Sequence, residues 1–302
     1  MVPMNDVCTK TLLVVGLARN CGKTIQADIK RLLAALGSFQ NLHWLVIESD
    51  SQDDTVTALQ VLEKEVRNFR YISLGNLRGT LPLRTQRIAH CRNRYLEELR
   101  NAAGYRDVDY IVAADLDGIN TLLTADAFLS CWARDDWDVC AANPRGPYYD
   151  IWALRHERWS PNDCWAHYKF LSDHGLGAEK AMWAAVFSRM ITLDERSEWV
   201  RVDSAFGGLA VYRRQALEGA SYIGLSVDGG EICEHVTLHT QLAAKGCRMF
   251  INPRLINTAF TQHSNQLRLL PGMKRKLRNF LRDVYKRCLR RATGPAPAGL
   301  KR

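Results

Sequence analysis

The chain has 302 residues, 47% hydrophobic and 24% charged, enough apolar material for a large buried core and too much for a disordered chain. Its net charge of +9 is concentrated at one end: eleven of the 41 Lys and Arg, but one of the 32 Asp and Glu, fall in residues 273–302, which leaves the first 272 residues at −1. That distribution argues against a nucleic-acid groove across the body, and the nine dispersed cysteines, odd in number and without a C-x-x-C pair, argue against a disulfide framework or a zinc ribbon.

The first apolar run, TLLVVGLA at 11–18, is far shorter than the ~18 residues that cross a bilayer and reads as a buried strand. Ile25, Ile29, Leu32, Leu33 and Leu36 then recur at helical spacing, with Gly37 as the expected terminating residue. HWLVIES at 43–49 is the second strand, and SDSQDDT supplies caps for a helix striped by Val56, Leu59, Leu62, Val66 and Phe69. RYISL at 70–74 is the third strand, Ile88, Cys91, Tyr95, Leu96 and Leu99 mark a third helix, and VDYIVAADLDG at 108–118 holds the fourth strand. This alternation predicts an α/β fold with a mostly parallel sheet flanked by helices. Ligands of such sheets bind beyond the carboxyl ends of the strands, where Arg19, Glu48 and Asp115 fall.

Beyond VCAANP at 139–144, residues 145–200 are rich in Trp, Tyr and His and show no clean period. Order returns with FGGLAVYR at 206–213, a helix over 233–245 stopped by Gly246, and a strand at 247–253. The tail from 266 carries Met273, Leu277, Phe280, Leu281, Val284 and Cys288 on one stripe amid basic residues, the pattern of a basic amphipathic helix that lies on an anionic membrane surface or packs on the body. TGPAPAGLKR at the end reads as disordered. The chain divides into a domain at 1–265 and a tail at 266–302, in a cytoplasmic protein that the tail would hold at the inner face of a membrane.

Asp115 and Asp117 carry the clearest chemistry. Alternate residues of an extended chain point to one side, so both carboxylates reach one divalent ion, and oxygen-only ligation suits Mg²⁺ or Mn²⁺, which also bind phosphate oxygens. The segment GLARNCGKT invites a phosphate-loop reading, with an NTPase or kinase as its consequence. Its spacing is wrong, because five residues separate Gly16 from Gly22 where the loop has four.

Taken together the segments resemble nucleotide-sugar-dependent glycosyltransferases of the GT-A fold, in particular family two and capsule mannosyltransferase-like proteins. ARN at 18–20 resembles the family's first turn, and ESDSQDDT at 48–55 its D-D-x-S-x-D-x-T, with Glu48 at the base-binding Asp. RIAHCRN at 87–93 is similar to the segment whose Arg-Asn pair opens towards the donor diphosphate, DLDG to the metal-binding D-x-D, and CEHVTLHTQLAAKGCRMFINPRL at 233–255 to the family's acceptor-side helix and strand. The resemblance spans about residues 11–265. It implies a single GT-A domain that moves a sugar from a nucleotide-diphosphate donor to a hydroxyl acceptor, saccharide or lipid-linked, with surface or capsule polysaccharide as the setting. It further implies donor contacts from Arg19, Glu48, Arg92 and Asp115, and a Mn²⁺ or Mg²⁺ ion on Asp115, Asp117 and His263.

The resemblance also places a catalytic Asp where this chain has His235. Three readings follow: Glu234 is the base, His235 is the base, or the enzyme retains configuration and needs neither. His235 and His239 share a helix face, but HVTLH lacks the Glu of a zinc-binding H-E-x-x-H. Tyr148, Tyr149, Trp152, Trp159 and Trp165 serve equally as sugar-stacking platforms or as core. A non-catalytic lipid-binding protein acting through the tail is the reading from outside enzymology.

Overall fold

The computed structural model describes residues 4–268. The stripe from Met273 to Cys288 and the disordered end expected of the tail lie outside the described residues. The chain divides into two units after Ser264.

A short helix α1 (Met4–Cys8) leads into β1 (Thr11–Ala18), α2 (Ile25–Leu36), β2 (Asn41–Glu48), α3 (Thr55–Glu65), β3 (Phe69–Ser73), α4 (Arg84–Asn101) and β4 (Tyr110–Ala114). The second half holds α5 (Ala125–Leu129), β5 (Val139–Asn143), α6 (Cys164–Asp173), α7 (Ala178–Ala185), β6 (Val200–Val202), β7 (Leu209–Arg213), α8 (Glu234–Ala244) and β8 (Met249–Ile256). Among the described residues, all eight strands join one sheet in the order β3-β2-β1-β4-β7-β5-β8-β6. Pairing is parallel from β3 through β4 and between β5 and β8, whereas β7 runs antiparallel to both its neighbours and β6 to β8.

The central strands read as unbroken apolar runs because both of their faces are covered. Leu12 and Val14 pack with Ile25, Ile29, Leu32 and Leu36 of α2 and with Leu59 and Leu62 of α3. The intervening Leu13 and Val15 turn to the opposite face, and α4, which packs on β1 and β2, buries Tyr95, Leu96 and Leu99 there. The same core continues into a group of edge-on aromatics, Phe39, Tyr110, Phe128 of α5, Trp132 and Trp137.

Three expectations need correction. Gly37 follows α2 with φ −61°, so this helix ends without a left-handed residue, whereas Gly246 after α8 has φ +81° and terminates it as expected. Phe69 is not part of the α3 stripe: Asn68 takes φ +55°, turns the chain, and Phe69 opens β3, where its ring stacks on Trp44. Residues 145–200 contain two helices that the periodicity did not disclose. The physical reason is that they bury little, Cys164 in α6 and Ala181 and Ala185 in α7, so neither needs an apolar stripe.

The topology sets the site. From β1 the chain moves outward to β2 and β3 and then returns to place β4 on the other side of β1. At such a reversal the loops beyond the carboxyl ends diverge and leave a crevice.

Candidate active site at the carboxyl ends of the strands

Two turns are stitched together at the β1 and β2 ends. Asn20, in a left-handed conformation at φ +50°, accepts a hydrogen bond from the Gln52 amide at 2.8 Å, and its own amide donates to Ser51 Oγ at 3.2 Å. Glu48, the last residue of β2, is buried; its Oε1 accepts from the Ser51 amide at 3.0 Å and its Oε2 from the Ser73 hydroxyl. Asp50 holds the next turn by accepting the Leu77 and Arg78 amides at 3.0 and 2.9 Å, while its other oxygen lies 3.6 Å from Arg87 Nε. Between these turns opens a cavity of about 630 Å³ lined by Arg19, Glu48, Asp50, Gln52, Val56, Asn76 and Arg78. The structure thus brings the expected donor residues Arg19 and Glu48 into one cavity, although Glu48 spends both oxygens on organising the loop.

The D-x-D segment leaves β4 at Asp115. Its middle residue, Leu116, is buried against Gly16 of β1, where a Cβ would stand 2.6 Å from Leu116 Cδ1; a glycine at that strand position is what lets the segment seat. Gly118, at φ +86°, turns the chain, and its amide donates to Asp28 Oδ2 at 2.9 Å. Asp28 is itself buried on α2 and paired with Arg31 at 2.9 Å. Asp117 is exposed. Burial raises the Asp115 carboxyl to about 7, with Asp117, Asp150 and Glu234 adding to the rise and Arg92 opposing it. Solvent still reaches 37% of its side chain, which moderates the effect.

Arg92 from α4 joins the two halves of the site. Its Nε donates to Glu234 Oε1 at 3.1 Å, its terminal nitrogen lies 3.8 Å from Asp115 Oδ1, and its guanidinium sits over the rings of Phe206 and Tyr222 at 5.3 and 5.5 Å. Glu234, first residue of α8, is buried beside it. His235 is buried too, stacked on Phe206 with ring centroids 3.9 Å apart, and neither ring nitrogen has a hydrogen-bond partner. Burial, then the charge of Arg92, holds its pKa well below the ordinary imidazole value, so the ring is neutral. His239 accompanies it one turn on, with Nδ1 2.8 Å from Ser204 Oγ and Nε2 3.0 Å from Tyr212 OH. Hydroxyl partners on both nitrogens leave it no lone pair for zinc.

One residue that the sequence did not flag belongs to this group. Asp150 follows β5, accepts the Gly207 amide at 3.0 Å, and its charge is felt by Asp115 and Tyr149. Gly207 and Gly208 both have positive φ, +68° and +83°, and a Cβ on Gly208 would lie 2.6 Å from Tyr149 OH. The pair is pinned from behind: Asn257 Nδ2 donates to the Gly207 carbonyl at 2.8 Å and to Asn120 Oδ1 at 2.9 Å, and Asn120 Nδ2 donates to the Asp115 carbonyl at 2.9 Å. The adjacent glycines in FGGLAVYR were the available signal, since a glycine pair before a buried strand marks close approach by another element.

Among the described residues no group of three or more His, Cys, Asp or Glu is assembled to hold a metal ion. Asp115, Asp117 and His263 are therefore not brought together as a ready-made trio; His263 is exposed and stacks on Tyr149 at 6.1 Å. The donor set still suits a hard divalent ion, because a cation relieves a carboxylate that burial and the neighbouring acids raise, and an ion such as Mg²⁺ commonly takes one or two carboxylates and completes its shell with phosphate oxygens and water. The phosphate-loop reading fails on geometry. The Gly22 amide already donates to Asp53 Oδ2 at 3.1 Å and the Cys21 amide to Thr55 Oγ1 at 2.8 Å, so the groups that would cradle a phosphate are taken. Of the aromatics, Tyr148 is core, Trp152 donates to Asp163, Trp159 to the Arg189 carbonyl, and Trp165 is exposed.

No protein-family model matches the chain, and no curated protein sequence matches it. Solved structures do. S. aureus TarS 1-349 is similar with a TM-score of 0.50 and 12% identity over 83% of this chain and 60% of that one. The same protein in complex with UDP-GlcNAc gives 0.49 at 14% identity over 83% and 58%. The mannosyltransferase PcManGT from Pyrobaculum calidifontis, in complex with GDP-Man and Mn²⁺, gives 0.48 at 15% identity over 83% and 56%. The chain spans less than two thirds of the length of each of these structures. The likeness to TarS, with the sheet order and its β1/β4 reversal, establishes the architecture: this is a GT-A fold, as the sequence resemblance implied.

Proposed function

We propose that the chain is a glycosyltransferase that moves a sugar from a nucleotide-diphosphate donor to a hydroxyl acceptor. The observation that carries this reading is the placement of Asp115 and Asp117 at the carboxyl end of β4, where the strand order reverses, one strand from the β1 end that opens on a cavity lined by Arg19 and Glu48. A nucleoside fits the cavity between the β1 and β2 turns, and its diphosphate extends towards the D-x-D segment. Asp115 and Asp117 would hold a Mn²⁺ or Mg²⁺ ion with the diphosphate, and that ion, when bound, neutralises charge on the leaving group. Arg92 sets the field between the donor end and the acceptor end, since it pairs with both Asp115 and Glu234. A saccharide or lipid-linked acceptor of surface polysaccharide fits a chain whose basic tail would meet an anionic membrane surface. Among the described residues no helix is long and apolar enough to cross a membrane.

The test is a panel of UDP- and GDP-linked sugars offered to the full chain with Mn²⁺, read as thermal protection and as release of nucleoside diphosphate. Protection by at least one donor, lost in EDTA, is expected. Absence of any donor effect would overturn the reading, and activity unchanged in EDTA would remove the metal from it.

A further inference from the structure

The proposed transfer needs a group to take the acceptor proton, and the residues of α8 are poorly placed for it. Glu234 is 6% exposed, and its Oε1 is already held by Arg92. His235 is 4% exposed, enclosed against Phe206 and Tyr222, with no side of the ring open to an incoming hydroxyl. Asp150 lies on a loop and is partly exposed, although burial raises its carboxyl; the Gly207 amide holds one of its oxygens, and a carboxylate has further lone pairs to offer.

Its position follows from the sheet. β4 and β5 run in the same direction with only β7 between them, so their carboxyl ends lie about 10 Å apart at ~4.8 Å per strand spacing. The start of β7 bridges that gap. The Gly208 carbonyl accepts the Asp115 amide at 2.9 Å, and the Gly207 amide donates to Asp150 Oδ2 at 3.0 Å, so two consecutive glycines hold the D-x-D segment on one side and the Asp150 carboxylate on the other. Side chains at these glycines would collide with the Ala142 carbonyl and with Tyr149 OH, at 2.8 and 2.6 Å. Asp150 lies seven residues past the end of β5, and its charge is felt at Asp115, so its carboxylate faces the same crevice as the D-x-D segment.

We propose that Asp150, rather than Glu234 or His235, is the catalytic base that deprotonates the acceptor hydroxyl. This inference rests on the glycosyltransferase reading and deepens it. In the step it describes, the acceptor O–H proton passes to the Asp150 carboxylate as the acceptor oxygen bonds to the anomeric carbon. The bond from that carbon to the diphosphate oxygen breaks, and its electron pair leaves with the nucleoside diphosphate, so configuration is inverted. Glu234 then serves as the counter-charge that keeps Arg92 in place.

The experiment uses the full chain with Mn²⁺ and the UDP- or GDP-sugar that it turns over, with water as acceptor and nucleoside diphosphate release as readout. D150N keeps an oxygen for the Gly207 amide, so the fold is expected to survive. Its kcat is expected to fall about 10² to 10⁴-fold while KM and calorimetric affinity for the donor stay within about 3-fold. A second variant, D150A, is expected to recover turnover when formate is supplied, which a purely structural role for Asp150 would not produce. D150N turnover within about 5-fold of wild type, or loss of donor affinity equal to the loss of turnover, would overturn the assignment, as would D150A without formate rescue. If wild type neither binds nor turns over any donor, the glycosyltransferase reading falls and the assignment with it.

Discussion

Replacing Asp115 by Asn should make the metal-free protein more stable near neutral pH while abolishing transfer. Burial lifts the Asp115 carboxyl to about 7, and the neighbouring Asp117, Asp150 and Glu234 push the same way. An acid whose folded pKa lies above its unfolded value of about 3.9 stabilises the fold fully below that unfolded value, and the contribution is lost as pH rises towards 7. A shift of three units corresponds to about 4 kcal/mol, and screening by the solvent that reaches 37% of the side chain reduces this to roughly 1–2 kcal/mol. The Asn variant escapes that cost because it never ionises. In EDTA at pH 7.5 its Tm is expected to exceed that of wild type by about 2–8 °C, given about 2–4 °C per kcal/mol for a domain of this size. At pH 4.5 the gain should shrink by more than half, since folded wild type is then protonated. Thermal unfolding of both proteins at the two pH values decides the matter. A variant no more stable than wild type at pH 7.5, or a gain independent of pH, would refute the argument that the site holds Asp115 under electrostatic strain.

Two further outcomes are expected, one at the site and one at the tail. R92A removes the cation shared by Glu234 and Asp115 and leaves the buried Glu234 carboxylate unpaired, so urea unfolding should show a loss of about 3–5 kcal/mol; a loss below about 1 kcal/mol would mean that Arg92 does not neutralise the site. For the tail, the full chain should co-sediment with anionic but not neutral vesicles, less strongly as salt is added, because each basic residue near such a surface contributes about 1 kcal/mol that salt screens. A chain ending at residue 266 that sediments equally at low salt would show that the tail is not the anchor.

Much of the fold could be read from sequence because its determinants are local. Leu12 to Val15 and Trp44 to Ile47 are contiguous apolar runs since the sheet buries both faces, and the α2 stripe recurs at helical spacing since one face meets the sheet. The D-x-D segment was legible for the same reason: two acids in alternation at a strand end declare themselves within eleven residues. What stayed hidden depends on contacts distant along the chain. α6 and α7 bury too few side chains to impose a period, and Arg92 meets Glu234 across 142 residues.

Asp150 shows why the acceptor side resists reading from sequence. In the loop after β5 it is a lone acid among aromatics, and the amide that fixes it belongs to Gly207, 57 residues away. The family resemblance directs attention to α8, where His235 replaces the expected Asp, and that substitution looks like a conservative exchange of one base for another. The structure gives it a different meaning. Burial and the charge of Arg92 hold the His235 pKa well below its ordinary value, which makes the ring, enclosed against Phe206, a poor base. D150N turnover separates the proposal that Asp150 is the base from the alternative in which Glu234 takes that role.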